Sequence, residues 1–183
     1  MTRSKPLLSL PPSPSNAPAV SNGPPLSDRP WETLSATGAD LPIEQFVTTL
    51  VPQLASLMRR NITGVYAAQH GLTVPQWRLL GLIARYSPLP FTDAVTLSGL
   101  DKGQVSRTLR ELEMNGLCTV ESDPGGNKKK VVCVISEAGL ARYQILVPLA
   151  QQKQVDLLSS LSKSERRALY TGLIKLMQRC ENP

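Results

Sequence analysis

The stretch LDKGQVSRTLRELEMNGL, residues 100–117, carries the strongest structural signal in this chain of 183 residues. Asp101 followed three residues later by Gln104 is a helix-start pattern, and Gly116 is a helix-stop residue. The stretch therefore predicts a helix over about residues 102–115. On a helical wheel most of its apolar residues fall on one face, and its arginines fall on the other with Gly103 and Met114. One side should therefore pack and the other should meet a partner.

The outer face of this predicted helix is suited to reading DNA. The residues expected on the inner face are Val105, Leu109 and Leu112. The residues expected on or beside the outer face are Lys102, Gly103, Gln104, Ser106, Arg107 and Arg110. In the major groove arginine can read guanine and glutamine can read adenine, while a helix N-terminus favours phosphate. The helix alone leaves open the alternative that its arginines contact only water.

The residues around this helix complete a winged helix-turn-helix. Before it, Thr92 is expected to cap a short helix over residues 93–98. After it, the β-leaning runs 117–122 and 130–135 flank turn residues and predict a hairpin. Its basic tip, expected to contact DNA phosphates or the minor groove, consists of Asn127, Lys128, Lys129 and Lys130. Helix, turn, helix and hairpin in this order predict a DNA-binding lobe over about residues 73–135.

Two of the three cysteines fall in the predicted hairpin. If its turn centres on Gly125 and Gly126, Cys118 lies directly opposite Cys133, at a separation that a disulfide tolerates. The favoured alternative is that both are small apolar residues filling one face of the sheet. The cysteines lack the spacing of a zinc site, and no secretory signal is recognisable, so we expect a reducing, cytoplasmic setting.

Apolar residues recur at intervals of three and four on both sides of the lobe. They predict one helix over about residues 41–70, kinked near Pro52, and two more over about residues 137–181. The caps predicted for the lobe and these last two helices are the pair Thr73 and Gln76, Ser136, and the pair Ser162 and Glu165. These helices offer more apolar surface than one lobe can cover, so we expect a homodimer. The expected fold is mainly α with a small β-hairpin: a winged helix-turn-helix lobe plus a helical dimerisation region.

Composition separates a tail from the folded part and excludes several classes of protein. Residues 1–30 hold eight of the sixteen prolines, so residues 1–40 are expected to form a disordered Pro/Ser-rich tail and residues 41–183 one domain. The formal net charge of +6 arises after residue 40, which suits a polyanionic partner. No apolar run approaches the ~18 residues of a membrane helix. A single histidine, with no phosphate-binding glycine loop and no metal-ligand cluster, predicts neither an enzyme nor a bound cofactor or metal.

Residues 41–181 resemble the MarR (multiple-antibiotic-resistance regulator) family. The resemblance is carried by LTVPQWRLLGLIA at 72–84, LDKGQVSRTLRELEMNGL at 100–117 and VISEAGLARY at 134–143. It implies a ligand-responsive repressor, a dimer whose two reading helices meet a palindromic operator in successive major grooves. The wing of the family usually carries an Asp-x-Arg element. Here Asp123 is followed by PGGNKKK, which leaves only lysines for contact with the DNA backbone.

The resemblance also implies a cleft for small aromatic acids or phenols between the dimer helices and the DNA-binding lobe. The residues that it assigns to this cleft are Tyr66, His70, Trp77 and Arg78. For Trp77 the favoured alternative is core packing, and for His70 it is a helix-end position. A sequence-independent architectural DNA-binding protein is the alternative function, and the ratio of specific to non-specific affinity separates the two.

Overall fold

The computed structural model describes residues 31–32, 34–39, 41–122 and 131–182. The chain divides into two units, one ending at Leu50 and one beginning at Val51. In the first unit the indole N–H of Trp31 donates to the main-chain carbonyl of Gln45 at 2.8 Å, at the end of a 3-10 turn over Ile43–Gln45. The predicted disordered tail falls mostly on residues 1–30, which lie outside the described residues.

Within the described ranges the chain forms seven α-helices and three short strands. The helices are α1 (Val47–Met58), α2 (Gly64–Gln69), α3 (Val74–Tyr86), α4 (Phe91–Ser98), α5 (Lys102–Met114), α6 (Glu137–Leu158) and α7 (Lys163–Glu181). The strands are β1 (Leu89–Pro90), β2 (Cys118–Ser122) and β3 (Val131–Ile135). The expectation of a mainly helical fold with a small sheet is confirmed. None of the described helices combines the length and apolar character needed to cross a bilayer.

Local cap signals explain the starts of three helices. At α3 the Thr73 hydroxyl accepts the N–H of Gln76, and the Gln76 side chain accepts the N–H of Thr73 in return. Ser162 and Glu165 form the same reciprocal pair at α7. The hydroxyl of Ser136 caps α6. These three predicted caps are confirmed. The sequence could predict them because each cap involves only residues within one turn of the chain.

The start of α4 corrects one prediction. This helix begins at Phe91 with Pro90 in the N-cap position and no side-chain cap, whereas the sequence pattern had favoured Thr92 as the cap. The hydroxyl of Thr92 instead donates to the carboxylate of Asp93 at 3.1 Å. The chain enters the helix directly from β1, a strand that the sequence did not predict because proline is rare inside strands.

The first predicted helix, residues 41–70, is interrupted. A π-helical turn over Arg59–Thr63 separates α1 from α2, so the main irregularity lies seven residues beyond Pro52. The N–H of Gly64 donates to the carbonyl of Arg59, and a Cβ on Gly64 would lie only 2.6 Å from that oxygen. A glycine is therefore required where the chain makes its wider turn.

The hairpin is present, but its register differs from the predicted one. The sheet is antiparallel in the order β1-β3-β2. Cys118 faces Ile135, and Cys133 faces Val120, so the two cysteines are diagonal neighbours and the predicted facing pair is wrong. Diagonal Cα atoms are ~7 to 8 Å apart, beyond the usual disulfide range, and both thiols are free. The hydrophobic pattern and the connection between two strands together set their register, and residues 123–130 lie outside the described residues.

One apolar core joins α3, α5, the sheet and α6. Its largest fully buried side chains are Leu79, Leu80, Ile83, Leu89, Val105, Leu112, Cys118, Cys133 and Leu146. At its edge the ring of Trp77 lies between Tyr66, which meets it edge-on, and Tyr143, which stacks on it, with both centroids 6.0 Å away. The core therefore extends from the part between α3 and β3 into α2 and α6, and α7 contributes no buried residue to it.

Candidate nucleic-acid interface and adjoining cleft

The turn between α4 and α5 is stabilised by a glycine, by a helix cap and by a side chain of α3. Gly99 adopts a left-handed φ of +64°, a conformation that favours glycine, and ends α4. The guanidinium of Arg78 on α3 donates to the carbonyl of Ser98 at 2.9 Å, which satisfies the last turn of α4. The carboxylate of Asp101 then accepts the N–H of Gln104 at 2.8 Å and starts α5. These contacts fix the angle between α4 and α5.

The two faces that the sequence predicted for α5 are present. The buried residues of the helix are Val105, Thr108, Leu109 and Leu112. The exposed residues of the predicted outer face are Lys102, Gly103, Arg107 and Arg110, and the half-buried residues at its edges are Gln104 and Ser106. The outer face therefore presents three cationic side chains and a glycine near the helix start, where another surface can approach closely.

Two acidic residues flank this face, and both are drawn toward the lobe. Glu111 accepts a hydrogen bond from the side-chain amide of Gln76 at 2.8 Å, and Glu113 accepts the main-chain N–H of Val120 at 3.0 Å. Within the described residues the guanidinium groups of Arg107 and Arg110 have no hydrogen-bond or ion-pair partner. The arginines are consequently free to pair with an incoming anion.

The cysteines at the base of the wing are buried, and one of them contacts α5. The thiol of Cys118 donates to the carbonyl of Leu109 at 3.9 Å. Burial raises the pKa of Cys118 to about 12, with smaller contributions from Cys133 and Glu113. Burial likewise raises the pKa of Cys133 to about 11. Both thiols are protonated at neutral pH and fill the sheet. The predicted wing contacts Asn127, Lys128, Lys129 and Lys130 lie outside the described residues.

A cleft of about 400 Å³ adjoins the first turn of α5 at Gln104. It is lined by Ala55, Met58, Arg59, Ile62, Thr63, Val74, Pro75, Trp77, Arg78, Leu100, Gln104, Gln154 and Leu157. Among the residues that the structure describes, this lining contains two arginines and no carboxylate, together with an indole ring and several aliphatic side chains. A small molecule with a flat apolar body and a negative charge matches that chemistry.

The structure brings two of the four predicted cleft residues to the cleft. Trp77 and Arg78 line it. Tyr66 lies behind Trp77 with 6% of its surface exposed, and His70 is half-buried at the end of α2, where its carbonyl accepts a hydrogen bond from Arg142. Neither Tyr66 nor His70 is among the lining residues.

Sequence reasoning missed the other polar residues of the cleft. Arg59 and Thr63 belong to the π-helical turn, and Gln154 lies in the second half of α6. Each is an ordinary polar residue on a helix, and the sequence carries no signal that distinguishes it from a solvated one. Among the described residues no group of three or more His, Cys, Asp or Glu side chains is placed to hold a metal ion.

A helix-turn-helix followed by a two-stranded wing, with a free cationic face on the second helix, defines a winged helix-turn-helix protein. Residues 70–128 match the model of the MarR family. The HTH-type transcriptional repressor NicR of Pseudomonas putida is 23% identical over 152 residues, which cover 80% of this chain and 96% of NicR. By sequence, the chain is therefore similar to MarR-family transcriptional regulators.

Solved structures of three other proteins share this fold. A MarR/EmrR family regulator from Acinetobacter superposes with a TM-score of 0.71 at 22% identity, over 78% of this chain and 99% of that one. MepR of S. aureus, solved with DNA, gives 0.67 at 18% identity, over 73% and 98%. BpsR of Bordetella bronchiseptica, whose DNA binding is regulated by 6-hydroxynicotinic acid, gives 0.65 at 20% identity, over 78% and 97%.

Proposed function

We propose that this regulator is a dimeric repressor that binds a palindromic operator sequence-specifically and releases it when a small aromatic acid occupies the cleft. The observation that carries the proposal is the outer face of α5, where Arg107 and Arg110 are exposed and unpaired among the described residues. A helix with this face, held at a fixed angle by a capped three-residue turn, suits the major groove.

The proposed DNA contacts divide into two kinds. On α5 they are Lys102, Gly103, Gln104, Ser106, Arg107 and Arg110, and on the wing they are Asn127, Lys128, Lys129 and Lys130. The polar side chains of α5 reach base edges and so carry sequence preference, and Gly103 lets the main chain approach the DNA closely. The wing lysines meet phosphates and add affinity without regard to sequence. The structure of MepR with DNA supports a nucleic-acid role for this fold.

The proposed dimer rests on apolar surface that the single chain leaves uncovered. On α7 the exposed fractions are 42% for Leu169, 41% for Leu173, 45% for Leu176 and 58% for Met177. These residues recur at helical spacing, and no residue of α7 is buried. A second copy covers such a stripe and sets two α5 helices at the spacing of a palindrome. We assign residues 41–70 and 137–181 to dimerisation, residues 73–135 to the DNA-binding lobe, and residues 1–40 to a tail.

The proposed effector follows from the charge of the cleft. Arg59 and Arg78 offer two cations, and Trp77 adds aromatic surface to the wall of the cleft. An aromatic monocarboxylate satisfies both features, and the regulation of BpsR by 6-hydroxynicotinic acid supports this class of compound. We therefore assign an aromatic acid to the cleft as its effector.

The operator arm of the test measures affinity for a duplex selected from a random pool and for its scrambled sequence. Arg107→Ala or Arg110→Ala is expected to weaken operator binding by ~1 to 3 kcal/mol and to relax preference at particular base pairs. Arg85→Ala, an exposed arginine on α3 outside the proposed DNA contacts, serves as the control and leaves both affinities unchanged. Equal losses on both duplexes would favour a sequence-independent architectural protein instead.

The effector arm compares charged and neutral ligands of one shape. Benzoate and 6-hydroxynicotinate are expected to bind the free protein more tightly than benzamide, and Arg59→Gln is expected to reduce that preference, since Arg78 remains. Titration calorimetry measures the binding, and operator affinity is measured again at saturating ligand. Equal binding of benzoate and benzamide to the wild type would refute an anionic effector.

A further inference from the structure

The side chain of Gln104 belongs to two surfaces of the molecule at once. It lies on the first turn of α5 beside the exposed arginines, and it also lines the cleft together with Arg59 and Arg78. At ~100° per residue Gln104 stands about 60° from Arg107 on the outer face and about 100° from Val105 on the buried face. Its half-buried position agrees with that boundary.

The side-chain amide of Gln104 takes no part in capping α5. At the starts of α3 and α7 the third residue returns a side-chain hydrogen bond to the cap, through Gln76 and Glu165. At α5 only the first half of the box forms: Asp101 accepts the N–H of Gln104. Within the part of the chain that the structure describes, the Gln104 side chain has no hydrogen-bond partner. Its donor and its acceptor are both available.

We infer that Gln104 is the point at which effector and operator compete, an inference that rests on the function proposed above. An aromatic carboxylate drawn into the cleft by Arg59 and Arg78 lies beside the Gln104 amide, whose N–H₂ group donates to it. The same amide cannot simultaneously make the paired hydrogen bonds with which glutamine reads adenine. Occupancy of the cleft therefore removes one base contact from each half-site.

The wall of the cleft also includes the turn that positions Gln104. Leu100 lines the cleft, and its N–H donates to the hydroxyl of Ser98 at 3.3 Å. The carbonyl of Ser98 is the group that Arg78 holds. A carboxylate on Arg78 is thus next to the side chain that leaves the operator, and no long-range change in the fold is needed to connect the two sites.

The test uses the full chain, with Gln104→Ala and the volume-preserving Gln104→Met as variants. Ser106→Ala is the matched control, because Ser106 is a half-buried polar residue at the opposite edge of the same face and does not line the cleft. Titration calorimetry measures the binding of benzoate and 6-hydroxynicotinate to each free protein. Operator affinity is then measured with and without saturating probe, at low salt so that weakened complexes remain measurable.

The expected result is that either probe lowers operator affinity of the wild type about tenfold or more, as loss of a good base contact does. Both Gln104 variants start from weaker operator binding, bind the probe several-fold more weakly, and lose most of the probe effect. Ser106→Ala keeps the full probe effect. A full probe effect in the Gln104 variants overturns the inference and leaves the proposed function standing. If neither probe binds the wild type, the aromatic-acid effector is refuted and the inference falls with it.

Discussion

The helices α5 and α7 show how differently two parts of one chain use an amphipathic pattern. Four residues of α5 are buried, including Val105 and Leu112 at 0% exposure, while none of the nineteen residues of α7 is buried. Both helices repeat apolar residues at helical spacing. The pattern therefore predicts a helix and an apolar face in each case, but only tertiary contacts decide whether the chain itself covers that face.

This difference indicates that the lobe and α7 are stabilised in two different ways. The lobe from α3 to β3 is stabilised by burial within one chain, where removing a side chain leaves a cavity. On α7 we expect burial to come from a second copy, so that substitutions there change association rather than the core. The predictions below separate these two sources.

The largest expected effect is a cavity in the lobe. Leu112→Ala should lower the free energy of unfolding by ~2 to 5 kcal/mol while leaving the dimer dissociation constant unchanged. Leu173→Ala on α7 should instead raise the dimer dissociation constant about tenfold, equivalent to about 1.4 kcal/mol. Chemical denaturation and sedimentation measure the two quantities. A monomeric wild type, or equal effects of both variants on both measurements, would contradict the division between lobe and dimer helices.

The next effect arises where α6 meets the lobe. A Cβ on Gly139 would lie 1.9 Å from the carbonyl oxygen of Leu117, a main-chain atom that cannot rotate away. The two segments are held this close because Ser136 donates to the carbonyl of Gly116 and accepts the N–H of Gly139. Gly139→Ala should therefore cost about 3 kcal/mol of unfolding free energy.

The control for Gly139→Ala is the exposed neighbour on the same turn. Ala138→Gly should cost only about 1 kcal/mol, the usual difference in helix propensity. Thermal or chemical denaturation measures both variants. Equal losses in the two variants would mean that the close approach of α6 to Leu117 does not constrain the lobe.

What the sequence could predict follows the range of the interactions involved. The boxes at Thr73 and Ser162 were predictable because donor and acceptor lie three residues apart, and the inner face of α5 was predictable from periodicity. By contrast, β1 exists because Leu89 pairs with Cys133, which is distant in sequence. The cleft likewise combines Arg59, Gln104 and Gln154 from three elements, and no local pattern connects them.

The buried thiols of the lobe predict a loss of stability at alkaline pH. Burial raises the pKa of Cys118 to about 12 and of Cys133 to about 11, from an ordinary value of 9.0. Above pH 9 the unfolded state releases these protons while the native state keeps them, so stability falls as pH rises. The expected loss is about 1 kcal/mol per pH unit for each thiol.

Denaturation curves at pH 8, 9 and 10 test this alkaline loss. Cys118→Ala is expected to flatten the decline by the share of one thiol, whatever its effect on stability at pH 8. Parallel declines in the wild type and Cys118→Ala would show that the Cys118 thiol ionises equally in both states. That result would contradict the burial of Cys118 at the base of the wing.

The smallest expected effect lies in α7, where stability is expected to fall in acid rather than in alkali. Hydrogen bonds from the side chain and the main-chain N–H of Ser162 hold the pKa of Glu165 below its ordinary value. A carboxyl group whose pKa is lower in the folded state stabilises that state above its unfolded pKa, and the contribution is lost as pH falls through the folded pKa. The capping box of α7 should therefore weaken in acid, whereas the box of α3, formed by Thr73 and Gln76, does not titrate.

Glu165→Gln gives α7 the same uncharged box that α3 already has. Between pH 6 and pH 3 we expect the thermal midpoint of the wild type to fall slightly more than that of Glu165→Gln. Identical acid profiles for the two proteins would mean that the charge of Glu165 adds nothing to the cap.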